Sequence, residues 1–306
     1  MANEVTYASL ISAGGRISPV LSDLLHVLLY DPTGLRALMV LTPPPNGTGA
    51  AGQNITKLTR GTVAAAASSE TVGGGSNSVL TTTNFTITVA RYYAKMQASS
   101  LMQMTGGPID LGTILSILME TLELTLTNLL CALFQNIAGS VGTSGADLSV
   151  DDIFSAMFYL NLQNNPSDLV CVLHPQQIND LQSSLRGETG PMQYRTDAQD
   201  LLRPVGVGFR GQFMGIQFYQ SDSVETADAG ANRAGCMFTM GAFRYCLGAP
   251  ALDMMVNPAD VIAATPEMWV ERSRDADNDL STFFVNFFPG TAEQEDLRAV
   301  RVKTDA

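Results

Sequence analysis

Residues 108–137 read PIDLGTILSILMETLELTLTNLLCALFQNI. Leu111, Leu115, Leu118, Leu122, Leu126, Leu129, Leu133 and Ile137 recur every three or four residues, the spacing of one face of an α-helix. Pro108 suits a first turn, where a missing N–H is unpaired in any case, and Gly139 suits the exit. At 1.5 Å per residue the segment makes a rod of about 45 Å, long for a globular domain, so an extended molecule is expected around it. Glu120 and Glu123 lie mid-segment, and each would cost about 2.5–3.5 kcal/mol at a bilayer centre, which argues against a membrane span.

Upstream, two β-prone stretches, NITKLTRGTV (54–63) and SVLTTTNFTITVARYYAKM (78–96), flank the small-residue run AAAASSETVGGGSNS (64–78). This pattern predicts a long hairpin with a flexible tip. Its large apolar residues are few: Ile55, Leu58 and Val63 on one arm, Phe85, Ile87 and Val89 on the other. A two-stranded ribbon so thin is marginal alone in water, and arms of about 12 residues would project roughly 40 Å, so it needs another surface to lie on. Before it, LTPPPNGTGAAG (41–52) can hold neither helix nor ladder and reads as a linker. Residues 1–48 read as an arm carrying one short helix, SPVLSDLLHVLLYD, with Ser18 as N-cap and Pro19 at its first position.

Downstream, a helix capped by Ser149 or Asp147 carries Ile153, Met157 and Leu160 on one face, and Asp151 and Asp152 in its first turn complement the helix dipole. LVCVL (169–173) is a buried strand by its continuous apolar character. It runs through His174 into a helix opened by Pro175, facing inward with Ile178, Leu181 and Leu185, and closed by Gly187. Residues 201–224 read as two short strands bent at Gly211 and Gly215; CMFTMGAFRYCLGAP, EMWVERSRDA and STFFVNFF are strand-like. Pro289-Gly290 is expected to turn the chain, and TAEQED (291–296) to be a solvated connection before LRAVRVK.

The chemistry-bearing residues form no catalytic pattern. His174 lacks a nucleophile and carboxylate at the spacing of a hydrolase and reads as a strand-to-helix junction residue, capping or bonding locally. GVGFRG (206–211) matches G-x-G-x-x-G, but a dinucleotide site needs a helix after the motif and β-prone residues follow here. Two histidines and four scattered cysteines supply no metal spacing, and RSRDADND lacks the glycine and terminal glutamate of a calcium loop, so no cofactor or metal is expected. The cysteines sit in apolar runs and read as reduced core residues, as expected of a cytoplasm. Net charge is −12 with 29 acidic against 17 basic residues, only three of them lysines (Lys57, Lys95, Lys303), which excludes specific nucleic-acid binding but suits a surface lying beside packed nucleic acid. No basic, then apolar, secretory signal opens the sequence.

Taken in order, arm, hairpin, long helix, α/β segment and closing strands, the chain resembles a tailed-bacteriophage major capsid protein of the Hong Kong 97 type. LVCVLHPQQINDLQ is similar to the strand-to-helix passage of that family's axial domain, FRGQFMGIQFYQSDSV to its small-loop passage, and RDADNDLSTFFVNFFPGTAEQEDLRAVRVKTD to the closing strands of the peripheral domain. The resemblance implies an α+β fold with an N-terminal arm (1–48), an extended loop (49–98), a peripheral domain with its spine helix (99–150, helix 108–137), an axial domain (151–254) and a return to the peripheral domain (255–306). It implies a non-enzymatic subunit forming hexamers and pentamers of an icosahedral shell around double-stranded DNA. The shell would be assembled in a bacterial cytoplasm with a separate scaffolding protein and a portal, with room for a decoration protein and without a membrane. A compartment of the same fold enclosing cargo enzymes is the alternative. The loop would lie across a neighbour, and Lys57, Arg60, Glu70, Arg91, Arg272 and Arg274 are the expected subunit contacts. Some members join a loop lysine to a neighbour's asparagine; Lys57 lies on the first arm, and no partner residue is identified.

Overall fold

The computed structural model describes residues 34–42, 54–58, 84–99, 111–163, 168–187, 209–227, 232–248, 260–264, 268–275 and 280–305. In chain order these hold a 3-10 turn at Gly34–Leu38, β1 (Val40–Leu41), β2 (Asn54–Leu58), β3 (Asn84–Thr88), β4 (Tyr92–Ser99) and α1 (Leu111–Leu133) with a 3-10 turn at Phe134–Asn136. Then come β5 (Ser140–Val141), α2 (Val150–Leu162), β6 (Leu169–Leu173), α3 (Pro175–Gly187), β7 (Phe209–Phe213), β8 (Ile216–Gln220), β9 (Thr226–Ala227) and β10 (Asn232–Thr239). The last elements are β11 (Phe243–Leu247), β12 (Val261–Ala264), β13 (Met268–Asp275), β14 (Leu280–Phe287), β15 (Pro289–Glu293), a 3-10 turn at Asp296–Arg298 and β16 (Ala299–Asp305). The expected helix at 18–31, residues 43–52 of the linker, the hairpin tip (64–78) with the arm residues next to it, and Pro108 lie outside the described residues.

The apolar run of β6 is continuous because the strand is covered on both faces. It pairs antiparallel with β10 and parallel with β8 inside a seven-stranded sheet of order β5-β16-β10-β6-β8-β7, with β9 on β10. Successive side chains of a strand point to opposite faces. Val170 and Val172 therefore join the core that α1 supplies with Leu126, Leu130 and Phe134, while Cys171 and Leu173 join the core made with Ile153 and Leu160 of α2 and Ile178, Leu181 and Leu185 of α3. Each fully buried aliphatic side chain of this kind contributes about 1.5–3 kcal/mol. The cysteines agree with the expectation: all four are free and buried, and burial pushes the Cys131 thiol up to about 12.

The long helix is shorter than its leucine repeat. The α-helix spans 23 residues, about 34 Å, and tightens into the 3-10 turn before Ile137 turns extended. Its buried row runs Leu118, Leu122, Leu126, Leu130 and Phe134, and the expected Leu129 is half-buried. A strict spacing of four drifts around a 3.6-residue helix, which turns the row from the side of β4 toward the β10 side contacted by the 3-10 turn. By length and composition Ser116–Asn136 would pass for a membrane span, yet its apolar row is covered by protein and Glu123 is ion-paired with Arg36 (Nη2 to Oε1, 2.9 Å). Gly139 does not end the helix; a Cβ there would stand 2.7 Å from the Tyr159 hydroxyl.

Further expectations are corrected. Residues 34–42, counted with the arm, are docked: Leu35, Leu38 and Met39 enter the main core, and β1 pairs parallel with β11. The second hairpin arm is not one strand. β3 pairs with β2 from Asn54↔Thr88 to Leu58↔Asn84, whereas β4 leaves that ladder and becomes the edge of a four-stranded sheet, β12-β13-β14-β4. Ala90 N–H bonds Pro289 O, which anchors the break. Ile87 and Val89 are buried in a cluster with Cys246, Val261, Trp269 and Phe288 of the same chain, so the base of the hairpin lies on its own subunit.

Pro289 and Gly290 do not turn the chain; they open β15, paired with Leu247 and Cys246, and a Cβ on Gly290 would meet Thr88 O at 2.7 Å. Thr291–Glu293 of the expected solvated connection belong to the same strand. The stretch 236–250 holds two strands of different sheets, because Gly241 (φ +94°) breaks it: β10 stays in the large sheet and β11 joins β1 and β15. β16, read as closing the same layer as β14, pairs instead with β10, since its alternating Val300 and Val302 face α2 and α3. The bends at Gly211 and Gly215 are a bulge and a two-residue turn, with Met214 and Gly215 both left-handed (φ 55° and 81°), as a type I′ hairpin requires.

Candidate assembly surfaces

Ser149 caps α2 by a full capping box: its hydroxyl oxygen accepts from Asp152 N–H (3.2 Å), and Asp152 Oδ2 accepts from Ser149 N–H (3.0 Å). Asp152 thus does more than offset a helix dipole. His174 caps α3 in the same manner. Its Nδ1 accepts from Gln176 N–H (3.2 Å), and its own N–H donates to Gln177 Oε1 (3.0 Å). Burial first, then the charge of Arg233, hold the imidazole below its usual pKa against the pull of Asp222, which favours the neutral ring that capping needs. Gln177, fully buried, also donates from Nε2 to Val302 O (3.2 Å) and Thr304 Oγ1 (2.9 Å), tying α3 to β16. The sequence does carry a signal for Gln177: its place three residues after the cap is the glutamine position of a capping box.

Among the described residues the remaining polar side chains do not assemble a catalytic group. Phe209–Gly211 of GVGFRG enter β7, and a hairpin follows where a dinucleotide site needs a helix. Asp147, Asp180 and Asp305 bring carboxylate oxygens within 4.8 Å of one another, a meeting that their spacing in the chain hides. Burial first, then Asp147 and Asp305, raise the Asp180 pKa, so a proton relieves that repulsion.

What the fold does present is surface. On the four-stranded sheet the alternation of β4 sends Ala94 and Ala98 inward and Tyr93, Lys95 and Gln97 outward, and Arg91, just before the strand, is exposed as well. With Phe284 of β14, paired to Lys95, three of these line a cleft of about 400 Å³. Tyr93 is 66% exposed. The Lys95 ammonium stands 5.4 Å over the Phe284 ring. Arg91 is held from the neighbouring strands: its Nε and Nη2 donate to Asn286 Oδ1 (3.2 and 2.7 Å), Asn286 Nδ2 donates to Glu271 Oε1 (3.0 Å), and the Trp269 indole N–H bonds the same carboxylate. Gln97 Nε2 donates to Thr282 Oγ1 (3.3 Å). The result is a held cationic and aromatic face at a sheet edge. A second surface is the row Phe154, Phe158 and Leu162 on α2, the last two 63% exposed each.

Of the six residues expected as subunit contacts, four lie among the described residues. Lys57 lies on β2, in register with Phe85, and Arg60 and Glu70 fall outside the described residues. Arg91 lines the cleft. Arg272 and Arg274 are exposed on β13 at positions of the opposite parity to Glu271; the Arg272 guanidinium stands 5.8 Å over Phe283, with Nη2 3.5 Å from Ser281 Oγ.

No family model matches the chain, and no curated protein matches it in sequence. Solved structures do. The chain is similar to the capsid structure of the cyanophage P-SCSP1u (12% identity, TM-score 0.61, 87% of this chain and 86% of that one). It is also similar to the capsid of Ralstonia phage GP4 (12%, 0.59, 89% of both) and to a chain from Mycobacterium phage Che8 (15%, 0.56, 83% and 84%). With helices apart from mostly antiparallel sheets, and with this likeness over most of its length, the chain has the fold of phage capsid proteins.

Proposed function

We propose that the protein is the major capsid protein of a tailed bacteriophage, a structural subunit and not an enzyme, built on the Hong Kong 97 plan. The observation that carries this reading is the likeness to phage capsids along nearly the whole chain, at sequence identities where fold alone persists. In this reading α1 is the spine, the seven-stranded sheet with α2 and α3 is the axial domain, and the four-stranded sheet belongs to the peripheral domain. The loop that leaves the β2–β3 ladder crosses to a neighbouring copy, where the face of Arg91, Tyr93, Lys95 and Phe284 receives it. Lys57, Arg60, Glu70, Arg272 and Arg274 serve further contacts between copies. Copies close into hexamers and pentamers around double-stranded DNA, and the net charge of −12 keeps the inner surface from clinging to it. Assembly takes place in the bacterial host with a separate scaffolding protein and a portal, and the outer surface leaves room for a decoration protein.

The similar structures are phage capsids, so a cargo-holding compartment is the less favoured reading. Electron microscopy of the purified chain, expressed with and without its scaffolding partner, tests the proposal. Closed isometric shells are expected, and a chain that stays monomeric under all conditions overturns it. Nuclease-protected long DNA in native particles separates a virion from a compartment, which would hold an enzyme instead.

A further inference from the structure

Two cross-strand rows lie side by side on the outer face of the four-stranded sheet. Tyr93, Asn286 and Trp269 form one; Lys95, Phe284 and Glu271 form the next. Trp269, the one tryptophan of the sequence, is 1% exposed and packs with Ile87, Val89 and Phe288 at the base of the hairpin, its ring centroid 5.8 Å from that of Phe288. Its indole N–H bonds Glu271 Oε1, the same oxygen accepts from Asn286 Nδ2, and Asn286 Oδ1 accepts from both Nε and Nη2 of Arg91. A line of hydrogen bonds therefore runs from the buried hairpin base to an exposed guanidinium. The two bonds to one oxygen occupy one edge of that group and leave its Nη1–Nη2 end to the cleft. This end is a fork that meets a carboxylate with two parallel bonds. Lys95 and Tyr93 line the cleft beside it, and among the described residues no carboxylate pairs with Arg91 or Lys95.

We propose that the cleft is a carboxylate-binding site in which Asn286, Glu271 and Trp269 are positioning residues for Arg91, and that it takes Glu70 of a neighbouring copy. The choice of occupant rests on reading this face as a contact between copies. Charge selects it. Between Arg60 and Arg91 the sequence holds a single charged residue, Glu70, so the loop that crosses from one copy to the next brings one carboxylate to a cleft with two cations. Length permits it, because Glu70 lies about 12 residues beyond Leu58, where the β2–β3 ladder ends, a reach of roughly 40 Å. The ladder opens with Asn54 and Thr88, the end next to Arg91 in the chain, and runs to Leu58 and Asn84, so it carries the loop away from its own cleft. Holding Arg91 in advance removes the ordering of a long side chain from the binding step. The relay uses only Oε1 of Glu271, so the part of that residue is geometry and not charge.

A fluorescent peptide of residues 64–78 and its Glu70→Gln form, titrated by anisotropy against the full chain carrying Glu70→Gln, read the site without a competing carboxylate from the loop. The peptide with Glu70 is expected to bind about fivefold more tightly, the effect of an exposed charged pair. Arg91→Lys keeps the charge but loses the fork and the paired bonds to Asn286, and the ratio falls below about twofold. Glu271→Ala lowers the ratio equally although Arg91 is intact, and Glu271→Gln, which keeps Oε1, restores it. A merely structural role would weaken both peptides alike and leave the ratio unmoved. Circular dichroism checks each fold; if Glu271→Ala does not fold, Asn286→Ala takes its place with the same expected loss. Equal binding of the two peptides, an unchanged ratio in Arg91→Lys or Glu271→Ala, or no recovery in Glu271→Gln overturns the proposal. Electron microscopy of the native chain reports shells separately. Shells without peptide discrimination sink the site and keep the capsid reading, and discrimination without shells does the reverse.

Discussion

The α2–α3 side of the seven-stranded sheet and the outer face of the four-stranded sheet are made from the same alternation of strand residues, yet they end differently. On the first, inward residues of β6, β10 and β16 meet Ile153, Leu160, Ile178, Leu181 and Leu185, and Gln177 satisfies backbone and side-chain groups across the contact. On the second, Tyr93, Lys95 and Phe284 meet no further layer among the described residues, although Asn286, with Glu271 behind it in the chain of hydrogen bonds, holds Arg91 in place beside them. Hydrogen bonds to fix a surface side chain add little stability to a lone subunit. A fixed, uncovered face is therefore better explained by a partner than by folding, and the comparison can be tested from both sides.

The largest effect is expected from the hairpin. Replacing residues 60–80 with a short turn should abolish closed shells while leaving a soluble, folded subunit by circular dichroism; normal particles from that variant would show that the loop is not a bridge. Next, the double variant Tyr93→Ala/Lys95→Glu should lose assembly in sedimentation while its unfolding midpoint changes by less than about 0.5 kcal/mol equivalent, as exposed sites do. A large loss of stability would mean that this face serves the fold. On the covered side the expectation reverses. Gln177→Leu should cost about 3 kcal/mol in denaturant unfolding, since it leaves the His174 amide and the partners on β16 unsatisfied. Gly290→Ala, whose Cβ would press on Thr88 O, should cost about 1–3 kcal/mol and loosen the hairpin base where the two regions join.

Legibility in the sequence followed locality. The Ser149 cap, the Pro175 start of α3, the apolar rows of α2 and α3 and the two-faced burial of β6 could be read directly, because capping and periodicity act within a few residues. His174 is legible as a junction residue, whereas the part its partner Gln177 plays depends on β16, far along the chain. The missed features are long-range. Residues 34–42 resemble an arm until Arg36 finds Glu123, and β4 reads as hairpin until it pairs with β14. Pro289-Gly290 reads as a turn until β11 and β3 close on either side. Of the cleft, the exposed tyrosine and lysine are legible as an alternating strand face, but Phe284 and Asn286 come from β14 and Glu271 from β13, both far along the chain.

By itself the sequence determined where helices begin, which residues of each strand seek a core, and the order of segments that points to a capsid fold, since these depend on backbone preferences and spacing. Tertiary structure alone decided which strands share a sheet, that β10 and β11 part company at Gly241, and that Asp296 accepts from the Ala138 amide. Those are choices among many apolar strands of similar character, and the residues that settle them lie far apart until the chain has folded.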